Sequence, residues 1–405
     1  MYNAAVNHMV EKLSFRKEEV MRELLKVESF ATAEDEYGCA IKCLEHAEEE
    51  AAYWGDNNIE MFAAFMAVNQ PLYGLILGLM SSLAAKETYI RPATDTSATV
   101  LALCQILELD EDFPHFHVVA CERQVFLDSY VRQADAVYFV GEYRNAKKVQ
   151  AMTKNNALFM FSGSGVNPMV ITETADVVLA AQKAVDAGLY NSGQDCGRPK
   201  LHLVHKSVEA EFLEALRNKL GSVVCGDFGN PEAQVVPILR DSVFQNAVTT
   251  ILANRDHIYR SEDGAPCGGY ADLNRKMIAP TILKVDRNNK VLFYEFYAPV
   301  FTVTTYETEA ELTAFFKADR YYLNAMYAFV FGQLPANVDV SRHTVVIHNQ
   351  SLLDVEDSHQ PFGGYGKHAN FVYDGSSPEA RPFLVSEELF KFGMKRKRKC
   401  KKRVA

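Results

Sequence analysis

Apolar residues recur at helical spacing at the start of the chain. Val6, Met9, Val10 and Leu13 make one stripe, and Val20, Leu24 and Val27 make another. Ser14 stands where it would cap the second helix, and a longer helix is expected over residues 33–53. The pattern then alternates. Strands are expected at 59–68, 88–90, 116–121, 136–139 and 157–161, with helices at 72–85, 96–107 and 145–154 and one more between the third and fourth strands. A second series follows, with strands near 201–204, 278–285, 300–306, 327–330 and 344–348 and helices near 208–220, 241–254 and 309–318. An amphipathic helix over 174–190 would turn Val178, Ala181 and Val185 to one side. Short buried strands alternating with helices imply an α/β chain whose sheets are mostly parallel and covered on both faces. The boundary between the two series is expected near residues 161–165.

Length agrees with two series, since 405 residues exceed one ordinary core. Residues 61–85 carry no charge and are long enough to span a bilayer, but Asn69, Gln70 and Pro71 interrupt them. A strand, a polar turn and a helix explain the stretch better, and no transmembrane segment is expected. The opening residues mix polar and charged groups, unlike a secretory signal. None of the eight cysteines forms a CxxC pair, so no metal is expected and reduced thiols in a cytoplasm are the simplest reading. Residues 395–403 hold eight basic side chains. Removing those eight charges from the net −10 leaves −18 on the rest, a body that would repel nucleic acid. The basic end itself, 395–405, is expected to be disordered.

Two segments carry candidate chemistry. In Asn191-Ser192-Gly193-Gln194-Asp195-Cys196-Gly197 a cysteine sits in a small polar turn after a long helix, with glycine on both sides. An exposed thiol there could attack a carbonyl, although many free cysteines are small core residues. Phe161-Ser162-Gly163-Ser164-Gly165-Val166-Asn167-Pro168 ends a strand and is not a GxGxxG dinucleotide fingerprint.

Together these segments resemble the aldehyde dehydrogenase superfamily, in which a glycine-rich Asn-Pro segment precedes a Gly-Gln-x-Cys nucleophile. Other stretches match in order. Ala67-Val68-Asn69-Gln70-Pro71 is similar to Pro-Trp-Asn-x-Pro, and Arg91-Pro92-Ala93 to a strand-end Lys-Pro-Ala. Phe139-Val140-Gly141-Glu142 is similar to Phe-Thr-Gly-Ser, and Glu295-Phe296-Tyr297-Ala298-Pro299-Val300 to Glu-x-Phe-Gly-Pro-Val. Asn349 and Pro361-Phe362-Gly363-Gly364 resemble the closing Asn…Pro-Phe-Gly-Gly.

The resemblance implies two Rossmann-like open-sheet domains with the active site between them. A nicotinamide dinucleotide-binding domain would span 1–162, a catalytic domain 163–350, and a return segment 351–394. Cys196 would form a thiohemiacetal or thioester, and Asn69 would donate to the oxyanion. Glu295 would hold the nicotinamide ribose. Val68, Gly141, Gly163 and Tyr297 would also border the cofactor. Arg91, with Thr94 where NAD-preferring relatives often carry glutamate, implies NADP, with NAD as the alternative. Substrate-facing residues would come from Tyr73, Tyr190 and the 352–359 segment.

The departures matter as much. Hydrolytic members carry glutamate where this chain has Ser162, and a serine hydroxyl is a poor base near neutral pH. The form Gly163-x-Gly165-x-Asn167 is closer in character to acylating members. Reduction of an acyl thioester, presented by coenzyme A or an acyl carrier, is therefore expected ahead of aldehyde oxidation. Glu142 would repel a pyrophosphate, which leaves a catalytically impaired binding protein as a third reading. The segment before Asn69 lacks room for an assembly hairpin, so a monomer or homodimer is expected.

Overall fold

The computed structural model describes residues 2–55, 57–341 and 344–404, the last six by backbone alone. The first sheet contains β1 (Met61–Phe65), β2 (Glu87–Arg91), β3 (Phe116–Val118), β4 (Ala136–Val140) and β5 (Leu158–Ser162). The second begins with β6 (Pro168–Ile171) and β7 (Leu201–His205). After a small ribbon of β8 (Ala271–Asp272) and β9 (Met277–Ile278), it continues with β10 (Thr281–Lys284), β11 (Val300–Tyr306), β12 (Tyr327–Phe331) and β13 (Val345–His348). A last strand, β14 (Asn370–Tyr373), returns to the first sheet and pairs antiparallel with β5. The strand orders are β14-β5-β4-β1-β2-β3 and β10-β11-β7-β6-β12-β13, and every pair except β14–β5 is parallel.

The alternation of side chains explains the layering. In β1, Phe62 and Ala64 pack into one core with Leu72, Leu75, Ile76 and Leu79 of the helix Pro71–Ser82. Ala63 and Phe65 face the other way, toward Phe126, Val131, Ala146 and Val149. The second sheet divides likewise, with Val170 in one core and Met169 and Ile171 in another. In the first sheet the chain runs outward from β1 to β3 and then crosses back to β4. The carboxyl ends of β1 and β4 therefore flank a crevice where the strand order reverses.

Several expectations are corrected. Ser14 lies inside the first helix, Tyr2–Phe15, and Arg16 occupies the cap of the next. The side-chain cap belongs instead to Ser29, which accepts from the Thr32 N–H at 3.2 Å. The helix expected over 33–53 is Phe30–Glu45 followed by tighter turns over Ala47–Tyr53, which bring Glu50 into the interior. Val178 is 59% exposed, and Val177, Ala180, Ala181, Ala184 and Val185 form the buried side of the helix Val177–Leu189. The strand expected over 278–285 is broken at Pro280 into β9 and β10, since proline cannot donate to the ladder.

The basic end, expected to be disordered, continues the final helix, Val385–Val404. Lys395 meets Asp374 at 2.9 Å and Arg396 meets Asp135 at 2.8 Å. The side chains of residues 399–404, Cys400 and the last basic residues among them, lie outside what is described. Among the described residues, no helix is long and apolar enough to cross a membrane, and the seven described cysteines are free.

Candidate active site

The turn that carries Cys196 is locally unusual. After the helix Val177–Leu189, Asn191, Ser192 and Gly193 all adopt left-handed angles, with φ of 44°, 55° and 78°. Such a run persists only where the surroundings dictate it. Ser192 Oγ donates to the Val236 carbonyl (3.1 Å) and accepts from its N–H (2.9 Å), and the Asn191 N–H donates to Thr32 Oγ1 (3.0 Å). A Cβ on Gly193 would stand 2.4 Å from the Ala298 carbonyl oxygen, so glycine is required there. Beyond the turn, Asn167 Nδ2 donates to the carbonyls of Cys196 (2.8 Å) and Arg198 (3.1 Å), and its Oδ1 accepts from the Tyr327 N–H. The Asn167 of the glycine-containing segment thus fixes the path of the backbone at Cys196.

Cys196 opens into a cavity of about 190 Å³ that runs under the carboxyl edge of the first sheet. Asn69, Tyr73, Ser162, Gly163 and Glu356 also line it. The polar turn bearing Asn69 is tied to the cysteine turn, because Gln70 Nε2 donates to the Tyr190 hydroxyl at 3.0 Å. The cysteine, the candidate oxyanion donor and the 352–359 segment therefore meet in one cavity.

Burial pushes the Cys196 thiol up to about 12. Asp195 adds to this, and Lys200 opposes it. At neutral pH the sulfur is protonated and needs a proton acceptor before it can act as a nucleophile. Ser162 does not supply one. It is buried, and its hydroxyl donates to Asn370 Oδ1 at 3.1 Å.

The remaining predicted residues lie around this centre. Gly163 lines the cavity, and a Cβ there would press to 3.1 Å from the Gly141 carbonyl oxygen and 2.5 Å from the Phe161 ring. Gly141 holds φ at +146° and donates its N–H to the Ser162 carbonyl. Arg91 ends β2 outside the cavity lining. It donates to the Cys121 carbonyl (2.9 Å) and to Thr94 Oγ1 (3.2 Å). Asp95, four residues beyond Arg91, is engaged by Arg240 at 2.7 Å. Val68 is half-buried and does not line the cavity, and Glu142 is exposed at the head of the helix Tyr143–Gln150.

Glu295 and Tyr297 belong to a neighbouring cluster rather than to the cavity wall. The Glu295 carboxylate accepts from Ser164 Oγ (2.6 Å) and pairs with Lys200, whose ammonium also contacts Ser164. Lys200 sits 5.8 Å from the centre of the Tyr297 ring, and burial lowers its ammonium to about 7. The contact with Glu295 fits the charged form, which burial makes easy to discharge.

Sequence reasoning passed over Lys200, Arg198 and Glu356. Arg198 is 1% exposed and donates to the Ala298 carbonyl at 3.1 Å, an improbable place for a charge without a structural task. The available signal was an Arg-Pro-Lys run directly before an apolar strand. For Glu356 it was an acidic stretch inside a segment expected to face substrate.

The chain matches the profile of the aldehyde dehydrogenase family over residues 4–372. An aldehyde dehydrogenase of family 3 from Dictyostelium discoideum is 26% identical over 245 residues, covering 60% of this chain and 50% of the relative. The 4,4'-diaponeurosporen-aldehyde dehydrogenase of Staphylococcus aureus is 23% identical over 385 residues, covering 86% of this chain and 79% of the relative. The chain thus spans half the length of the first of these and most of the second. Among solved structures, a glyceraldehyde-3-phosphate dehydrogenase from Methanocaldococcus jannaschii, complexed with NADP, superposes with a TM-score of 0.77 at 19% identity, covering 96% of this chain and 87% of that one.

Proposed function

The chain belongs to the aldehyde dehydrogenase family, a family of oxidoreductases, and from that premise we propose that it oxidises an aldehyde through a thioester on Cys196, using NADP or NAD. The observation that carries this reading is the common cavity of Cys196 and Asn69 at the carboxyl edge of a sheet whose strand order reverses there. The thiol loses its proton and its sulfur adds to the carbonyl carbon. The side-chain amide of Asn69 and the backbone N–H of Cys196 donate to the oxyanion, and one such donor contributes about 3–4 kcal/mol in related acyl transfers.

A nicotinamide dinucleotide, when bound, supplies the hydride acceptor. The residues present fit it. The crevice between β1 and β4 is the usual place for such a ligand, and Gly141 and Gly163 add no side chains of their own there beside the Phe139 and Phe161 rings. Residues 1–162, with the strand that returns from 351–394, would hold it against the cysteine of 163–350. Arg91, with Asp95 occupied by Arg240, favours a 2′-phosphate and hence NADP. Glu295 would exchange Lys200 and Ser164 for the ribose hydroxyls. Free thiols accord with a reducing, cytoplasmic setting.

Reduction of an acyl thioester is the second reading, favoured by Ser162 with its hydroxyl committed to Asn370. Asp357 lines the same cavity and would oppose the phosphates of coenzyme A, which ranks oxidation first. The test is NADPH and NADH formation from an aldehyde panel, and their consumption with acyl-CoAs, using Cys196→Ala as control. Turnover that survives Cys196→Ala refutes the reading.

A further inference from the structure

We propose that Glu356 takes the proton from the water that cleaves the acyl group off Cys196, a role that rests on Cys196 carrying that group as proposed above. Ser162 leaves the hydrolytic step without a base, and its hydroxyl is already donated to Asn370. Glu356 lines the cavity that Cys196, Asn69 and Ser162 also line, and is half-buried in its wall.

The loop that bears Glu356 is held at both ends. Asp354 accepts from the Ser351 N–H at 2.7 Å and pairs with Lys183 at 2.5 Å. Three residues beyond Glu356, the His359 ring meets Glu50 at 2.7 Å and the Cys43 carbonyl at 3.0 Å. The Glu356 N–H donates to the Leu352 carbonyl at 2.9 Å, which fixes the backbone between the anchors. A group held this way keeps its geometry during reaction.

The carboxylate itself has no hydrogen-bond or ion-pair partner among the described residues. Asp195, Cys196, Asp35, Cys39, Tyr73 and Tyr327 act on it electrostatically and Glu50 and Asp357 share its cavity, none of them a cation. Burial, with Asp195 and Asp35 adding, pushes Glu356 up to about 8, which suits proton transfer near neutral pH.

The step balances without a redox partner. The water oxygen bonds to the thioester carbon while one water proton passes to Glu356. The adduct collapses, the carbon–sulfur bond breaks, and the departing sulfur recovers a proton from Glu356. A carboxylic acid and the Cys196 thiol remain.

The test uses the whole chain and p-nitrophenyl acetate, which acylates a thiol without any cofactor. The burst of nitrophenolate reports acylation of Cys196, and the steady rate reports cleavage. In Glu356→Gln the burst is expected to persist while the steady rate falls about a hundredfold or more, with acetylated Cys196 accumulating in the intact mass. An undiminished steady rate overturns the proposal. In the unaltered protein the steady rate is expected to rise with pH through about 8, and a flat profile there overturns it even if the variant does not fold. A burst that survives Cys196→Ala refutes the cysteine reading. A wild-type burst with no later turnover refutes only the role of Glu356.

Discussion

Replacing His359 with leucine tests how the loop that faces the cavity is held. The imidazole and the Glu50 carboxylate are each 3% exposed at the side chain. A carbonyl and a carboxylate both accept, so the two ring nitrogens at 2.7 and 3.0 Å both donate, which makes the ring an imidazolium. Burial acts to lower the ring's titration point, but Glu50 and the Cys43 carbonyl outweigh it and raise it. Leucine keeps bulk but removes both donors and leaves Glu50 unpaired. Breaking a buried pair costs about 3–5 kcal/mol, and the lower figure is expected because Glu50 also borders the cavity, where water can reach it. The sign with pH follows from linkage. A histidine whose folded value is raised stabilises fully below its ordinary value of about 6.5, and the benefit is lost as pH rises through the folded value. Urea unfolding of both proteins at about pH 6 and pH 9 reads the difference, which should be near 3 kcal/mol at the lower pH and smaller at the higher. A difference under about 1 kcal/mol at the lower pH, or one that does not shrink at the higher, refutes this account of the anchor.

Four further outcomes are expected. Asn69→Ala should lower kcat about 10²–10³-fold with little change in melting temperature, and an unaltered kcat would remove Asn69 from the oxyanion site. Gly193→Ala meets both a positive φ and the Ala298 carbonyl oxygen, so it should cost about 1–3 kcal/mol in thermal unfolding and slow alkylation of Cys196. Arg91→Ala should raise the KM for NADP about tenfold or more while leaving that for NAD nearly constant, and equal effects on both would deny it the 2′-phosphate. Burial pushes Glu36, together with the adjoining Glu28, above the ordinary carboxylate range, so folding loses stability as pH rises out of that range. Glu36→Gln should flatten this part of a melting-temperature profile against pH, and a parallel profile would show that Glu36 ionises freely.

The division between what the sequence revealed and what it hid follows the range of the forces involved. The strand Met61–Phe65 was legible because four consecutive buried positions announce a sheet covered on both faces, and the partition of Phe62 and Ala64 from Ala63 and Phe65 then follows from the pleat. The turn at Cys196 was legible because Gly193 and its polar neighbours are a local demand of the backbone. Val178 was misplaced because a short helical stripe can be drawn through either of two adjacent valines, and only packing against the second sheet selects Val177. The single helix expected over 33–53 failed for a related reason. Local propensity favours continuation, whereas the inward turn of Glu50 is settled by a histidine 309 residues away.

The same distance explains why the chemistry of the cavity was only half visible. Ser162 reads as a missing base when the glycine segment is considered alone. Glu356, which lines the same cavity, arrives on a loop nearly two hundred residues later, after the chain has built its second sheet. Nothing in the spacing of Asp354, Glu356 and Asp357 separates a solvated acidic loop from one that lines a cavity. The separation comes from His359, which commits its ring to Glu50 and Cys43 in the amino-terminal helical region and so anchors the loop that brings Glu356 to the cavity wall. Loss of a catalytic side chain in one segment therefore does not establish loss of the step it served, because the fold supplies a carboxyl group to that space from elsewhere.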